Sequence, residues 1–220
     1  METTETKTKK WRESDGTEVI ETTTIRRIRP ANATMSTGSS GGSGNSGGFG
    51  SGLKQLLHIP SSKNNTNDSS KDNYDRNQFE KDSLNRHNHY RAKHGVPNLV
   101  LSKQLCQYAQ EWANHLAKNN SMQHRPDKKY GENIFMKGGT NVTIHGNDAV
   151  DAWYDEIHKY NFNSPGFKSG IGHFTQVVWR KSKQLGIAYA KQGSSIFVVA
   201  NYDPPGNYQG EFNENVPRPK

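Results

Sequence analysis

Residues 36–52 hold eight glycines and six serines in seventeen positions. A stretch of that composition has almost no side chain to bury and much backbone entropy to lose, so it reads as a flexible linker. Whatever core the chain builds must lie to one side of it. Apolar residues decide which side: 14 fall among the first 73 residues and 52 among the remaining 147, and of the aromatic residues only Trp11 and Phe49 precede Tyr74. The pattern predicts a disordered tail over 1–73, with the Gly/Ser-rich linker at 36–52, and one globular domain over 74–220. Within the tail, Ile25-Arg-Arg-Ile-Arg29-Pro30 reads as a charged stretch, and Leu53–Ile59 as a two-turn apolar island stopped by Pro60.

Several classes are excluded. No apolar run approaches 18 residues, so no transmembrane helix is expected. Met1-Glu2-Thr3-Thr4 has no basic region leading into an apolar stretch, and position 2 is not glycine, so neither a secretory leader nor myristoylation is expected. Cys106 is the single cysteine and closes no internal disulfide, which favours a reducing compartment. The formal net charge is +8, and residues 74–220 carry +6 of it, with 19 basic against 13 acidic residues. A folded domain with that excess suits an anionic partner such as a lipid surface. No nucleic-acid recognition motif accompanies it, and no nucleic-acid partner is expected.

Periodicity sketches the domain. A helix is expected over 75–94, with Gly95 at its C′ position and Pro97 preventing continuation. A second begins at Ser102, a capping residue, and places Leu105, Ala109, Trp112 and Leu116 on one stripe. A third runs from Asn147 or Asp148 to Tyr160, with Val150, Trp153, Ile157 and Tyr160 on one face. Glu132–Lys137 reads as a short strand. Leu185–Lys191 and Ser195–Tyr202 read as a hairpin turning near Gly193, with Ile196–Ala200 covered on both faces. The fold class is therefore α+β: a three-layer α-β-α sandwich with a small antiparallel sheet between helices.

His124, Glu132, Glu156 and His173 stand at the ends of these elements. Two imidazoles and two carboxylates are a plausible ligand set for a borderline metal, although no HExxH-type pair fixes two of them on one helix turn. Cys106 flanks the buried stripe of the second helix and reads as a packing residue. Thr175 reads as a turn-orienting hydroxyl, and His87 with Arg91 as a hydrogen-bond set tying the first helix to the body.

Four patterns in order carry a resemblance: His87-Asn88-His89-Tyr90-Arg91, Gly131-Glu132-Asn133-Ile134, the run Gly172-His173-Phe174-Thr175-Gln176-Val177-Val178-Trp179-Arg180-Lys181-Ser182, and Phe197–Tyr202 followed by Asp203-Pro204-Pro205-Gly206-Asn207. The chain resembles the CAP superfamily of cysteine-rich secretory, antigen 5 and pathogenesis-related proteins over about residues 76–217. Trp153–Ile157, Tyr160–Phe162, Pro165–Phe167 and Glu214–Pro217 are similar to its Golgi-associated pathogenesis-related branch. The resemblance implies that His124, Glu132, Glu156 and His173 line one open cleft, and that His124 and His173 hold a weakly bound divalent metal such as zinc, with Glu132 and Glu156 nearby. It also implies a cytosolic-side protein peripheral to Golgi or other membranes, binding anionic lipid, able to form a homodimer and acting as a scaffold. Two other readings accompany it: a metal-assisted hydrolase using the same four residues, and an extracellular defence or signalling protein. Two histidines are one ligand short of the usual catalytic zinc, so no catalytic residue is expected with assurance and the protein is not expected to be an enzyme.

Overall fold

The structure is a computed structural model and describes residues 2–12, 14, 16–28 and 75–220. Its elements run β1 (Glu2–Arg12), β2 (Glu18–Ile28), α1 (Arg76–Lys93), β3 (Val100–Leu101), α2 (Lys103–Asn119), β4 (Gly131–Gly138), α3 (Gly146–Asp155), a 3-10 turn (Glu156–Lys159), α4 (Gly172–Val177), β5 (Gln184–Gln192), β6 (Ser195–Asp203) and α5 (Phe212–Asn215). The strands form one sheet in the order β1-β2-β4-β6-β5-β3. All neighbours are antiparallel except β3, which lies parallel to β5.

Helices cover both faces of this sheet, as the α-β-α reading requires. The α2 stripe of Ala109, Trp112, Ala113, Leu116 and Ala117 packs on Ile134, Met136, Ala188, Phe197 and Val199. The opposite face takes Phe79, Val150, Trp153 and Phe174 from the other helices against Phe135, Val198, Ala200 and Tyr202. Strand alternation produces this division, since neighbouring residues on β4 and β6 point to opposite layers. The Ser102 side chain caps α2 through Leu105 N at 3.4 Å, and Gly95 takes the left-handed φ of 61° that ends α1. Gly186 permits α2 to lie against β5, because a Cβ there would sit 2.1 Å from the Leu105 carbonyl carbon. Two expectations need adjusting. The sheet has six strands and one parallel pair, and the third helix is α-helical only to Asp155 before tightening into the 3-10 turn.

The tail is corrected most. Residues Glu2–Arg12 and Glu18–Ile28 are strands, not disordered chain. They pair in register from Glu2↔Ile28 to Arg12↔Glu18, and β2 then pairs with β4 from Glu18↔Gly138 to Thr23↔Asn133. Without β2 the β4 edge would present an unpaired row of N–H and C=O groups. Low apolar content over the tail as a whole misleads here because a hairpin added at a sheet edge draws on backbone bonds and needs few anchors. Val19 and Ile20 supply them, buried on opposite faces. Eight of the twelve residues from Thr17 to Ile28 are β-branched, which suits extended backbone. Gly16 stands in the connection between the two strands at φ 85°, a backbone angle glycine adopts freely. The linker at 36–52 and the island at Leu53–Ile59 lie outside the described residues.

α1 buries a polar stripe of Ser83, His87 and Arg91 beside Phe79 and Tyr90. His87 bridges Ser83 O and the Tyr202 hydroxyl, both at 2.8 Å, and burial lowers its pKa to about 4. Arg91 donates to four carbonyls: Pro97 at 2.7 Å, Val177 at 3.0 Å, Trp179 at 2.9 Å and Ser182 at 3.0 Å. These bonds hold the chain around α4 against α1, the structural role expected of this pair. Replacing Arg91 by Met leaves those carbonyls short of a buried charged donor. The expected cost is about 3 kcal/mol or more, seen as a lower urea midpoint with unchanged slope.

Candidate functional site

Glu156 opens the 3-10 turn after α3, and its carboxylate caps α4. Oε2 accepts from the backbone N–H of His173 at 2.9 Å and of Phe174 at 3.2 Å, while Oε1 lies 3.1 Å from His173 Nδ1. The His173 ring also hydrogen-bonds to the Thr22 backbone and stacks 6.3 Å from Trp153. Asn133 fixes the segment from below, donating from Nδ2 to His173 O at 3.2 Å.

His124 and Glu132 form a second pair. His124 follows α2, on a segment anchored by Trp112 Nε1 donating to Gln123 O at 3.0 Å. His124 Nδ1 lies 2.7 Å from Glu132 Oε1, which also accepts from Arg125 N at 3.0 Å. Asn201 Nδ2 reaches Glu132 Oε2 at 3.3 Å. His124 Nε2 is buried without a hydrogen-bond partner.

The structure thus brings the four expected residues together as two hydrogen-bonded pairs, His124 with Glu132 and His173 with Glu156. Glu132 shares the α2 face with Ile134 and Met136, whereas His173 and Glu156 belong to the α3–α4 layer. The added strand β2 runs between them. Its Glu21, on the same face as Val19, points at His173, with Oε2 3.8 Å from Nδ1. Further along β2, Arg26 donates to Lys128 O at 2.8 Å and to Tyr130 O, and its backbone N–H reaches Asn207 O at 3.2 Å. β2 therefore contacts His173 through Glu21 and the segment before Glu132 through Arg26. Among the described residues, the group whose ligand atoms all lie within 4.8 Å of one another is Glu21, Glu156 and His173, all buried, and such a group could hold a metal ion. Sequence reasoning missed Glu21 because it assigned the tail to disorder. The β-branched run and the Asp15-Gly16 dipeptide were the signals that mark it.

Among the described residues, the nucleophile candidates Cys106, Thr175 and Ser182 are engaged in packing or in hydrogen bonds to the backbone and Asn207. Burial pushes the Cys106 thiol up to about 11. Thr175 Oγ1 donates to Asn207 Oδ1 at 2.6 Å and Gly172 O at 3.2 Å, and Ser182 Oγ donates to Pro204 O at 2.8 Å. The long signature around them is a brace for the turn at residues 204–207.

Two carboxylates face one imidazole in the buried trio. Burial raises Glu21 to about 7 against the pull of His173. Burial acts upward on Glu156 too, but the His173 charge and three hydrogen bonds outweigh it and lower its pKa. His173 is pushed down by burial and more strongly up by Glu156 and Glu21, so it is raised. The folded trio therefore holds more protons near neutrality than the unfolded chain. The raised Glu21 loses its contribution as pH climbs from about 4.5 to about 7, and the raised His173 loses its own as pH climbs beyond 6.5. Glu156 acts oppositely, and only below its ordinary value of 4.5. Glu21 alone is expected to lower stability by about 1 kcal/mol between pH 6 and pH 8, with His173 acting in the same direction. Glu21→Gln should flatten that slope in thermal melts at the two pH values.

The chain matches the Cysteine-rich secretory protein family, CAP, over residues 84–202. It is 44% identical over 147 residues to the Golgi-associated plant pathogenesis-related protein 1 of Homo sapiens, covering 65% of this chain and 95% of that one. It is 40% identical over 135 residues to pathogenesis-related protein 1A of Nicotiana tabacum, covering 60% and 79%. Among solved structures, BmVAL-1 superposes with a TM-score of 0.55 at 24% identity, over 65% of this chain and 84% of that one. NaASP2 with Zn2+ gives 0.51 at 21% identity, over 69% and 91%. Glu21 and the rest of the β1–β2 hairpin precede the matched residues, whereas Glu132, Glu156 and His173 fall inside them. With its motifs in order and its helices on both faces of the sheet, the chain belongs to the cysteine-rich secretory protein (CAP) family.

Proposed function

We propose that this protein is a membrane-surface module that binds anionic lipid through the basic exterior of its CAP domain and works as an interaction scaffold, not as a hydrolase. The observation that carries this reading is the charge of residues 74–220, 19 basic against 13 acidic, with Lys128 and Lys129 exposed side by side. Their nearest acidic residue in sequence, Asp127, is already engaged by Arg125 at 3.5 Å and by the Tyr108 hydroxyl. Lys129 Nζ lies 5.0 Å over the Tyr130 ring, so an aromatic body stands beside the cations at this loop. The relative named as Golgi-associated supports a site of action peripheral to Golgi or other membranes; a cytosolic-side location and a homodimer complete the proposed reading. No helix among the described residues is long and apolar enough to cross a membrane, which leaves peripheral contact as the mode considered.

A weakly bound divalent metal, zinc in particular, is the cofactor of this reading. An imidazole beside carboxylates is a donor set that suits it, and His173 with Glu156 supports it through their short separation. His124 with Glu132 stands apart as a hydrogen-bonded pair.

Sedimentation of the full chain with vesicles tests the lipid reading. Binding to vesicles containing anionic lipid is expected, with little on neutral ones, and it should weaken as salt is raised because screening acts over roughly 8–10 Å near physiological ionic strength. Changing both Lys128 and Lys129 to Ala should weaken binding about 30-fold, corresponding to roughly 1 kcal/mol for each lysine at the surface. Equal binding to neutral vesicles would remove the proposal.

A further inference from the structure

We infer that Glu21, Glu156 and His173 form a divalent-cation site whose third ligand is carried in by the N-terminal strand, so that cation binding clasps the β1–β2 hairpin onto the domain. The inference rests on the divalent-metal reading above and adds the ligand that lies outside the family-matched residues.

Geometry comes first. Zinc takes nitrogen and oxygen ligands at about 2.0–2.2 Å, and two ligands of a tetrahedral ion then stand roughly 3.3–3.6 Å apart. His173 Nδ1 lies 3.1 Å from Glu156 Oε1 and 3.8 Å from Glu21 Oε2, which brackets that separation. Small shifts on either side centre an ion among the three.

The environment of Glu21 points the same way. Both of its carboxylate oxygens are buried with no hydrogen-bond partner. Its nearest cations are the His173 ring and Lys9 Nζ, which is 4.0 Å away on a side chain 40% exposed. A carboxylate this far from water normally accepts several hydrogen bonds, and leaving it without them is costly. As ligands, with the protons of the buried trio released, two carboxylates and a neutral imidazole sum to a charge of about −2, which a divalent ion cancels in place.

The surroundings orient the donors as ligands need to be oriented. Glu156 Oε2 is held by the backbone N–H groups of His173 and Phe174, which aims Oε1 at the space shared with Glu21. The bond between the His173 ring and the Thr22 backbone fixes the ring, as outer partners of metal-bound histidines do. Thr22 and Glu21 are consecutive on β2, so one strand supplies both a ligand and the brace for another. Because the trio is buried, an ion enters when the hairpin lifts and holds it once it closes. Cation binding and strand docking are then linked equilibria.

Zinc chloride titrated into the full chain by calorimetry, with amide hydrogen exchange read in parallel, tests the inference. The wild-type chain is expected to bind one ion. At a free zinc concentration one hundred times its dissociation constant, exchange of the amides in Glu18–Thr23 should slow about hundredfold. Glu21→Gln keeps the side-chain shape and removes the ligand charge. It should weaken zinc binding about tenfold or more, so that at the same free zinc the added protection falls to about tenfold or less. Without zinc, Glu21→Gln should protect the same amides at least as well as the wild-type chain, which shows that the hairpin still docks. Zinc bound equally by wild type and Glu21→Gln would overturn the inference while leaving the metal reading standing. Failure of the wild type to bind zinc would overturn both.

Discussion

Pairing along β4 is the constraint on which the site depends. That strand lies between β6 and β2 and has helices on both of its faces, so its backbone groups have no access to water and must find partners along both edges. β6 satisfies one edge from Gly131↔Tyr202 to Gly138↔Ser195. β2 satisfies most of the other, and its register is what delivers Glu21 opposite Phe135 and Thr22 opposite Ile134. A slip of one residue would turn Glu21 toward the α2 layer and Thr22 toward His173. The chemistry around His173 is therefore set by a ladder of backbone bonds more than by any contact of its own.

The two histidine–glutamate pairs illustrate how a sheet partitions a site. Glu132 and Asn133 are consecutive, yet Glu132 serves His124 in the α2 layer and Asn133 supports His173 in the other. Each carboxylate is held by backbone N–H groups before it meets its imidazole: Glu132 by Arg125, Glu156 by His173 and Phe174. Both are acceptors positioned by turns, and so each ring has its orientation determined by a rigid partner. Glu21 differs. It arrives on a strand, its oxygens accept no hydrogen bond, and its counter-charges stand farther off, His173 at 3.8 Å and Lys9 at 4.0 Å.

Arg91 does for the helices what β2 does for the sheet. One guanidinium gathers carbonyls from the α1–β3 connection and from the chain following α4, and its own pKa is lowered to about 10 by burial. The end of α4, the Trp179 turn and the start of β5 are thereby held in one position relative to α1. Gln176 extends the brace by accepting from Gly206 N at 2.9 Å, where a side chain on residue 206 would collide with Gln176 and Trp179.

Much of this was legible in the order of residues. The α2 stripe with its Ser102 cap, the β5–β6 hairpin and the double burial of Ile196–Ala200 follow from periodicity and local backbone preference, which short-range physics controls. The family resemblance marked His124, Glu132, Glu156 and His173 from the sequence. What they could not reveal is which of those residues meet, because pairing across a sheet depends on which face each side chain takes and on what else lies between. Strand β2 was hidden for a related reason. The average over residues 1–73 is that of a solvated tail and masks the strand's own Val19, Ile20, Ile25 and Ile28, and the strand's stability comes from an edge more than a hundred residues away in sequence. Composition measures what a segment can bury alone. Only the tertiary structure decides what a distant strand offers it, and that decision places Glu21 on His173.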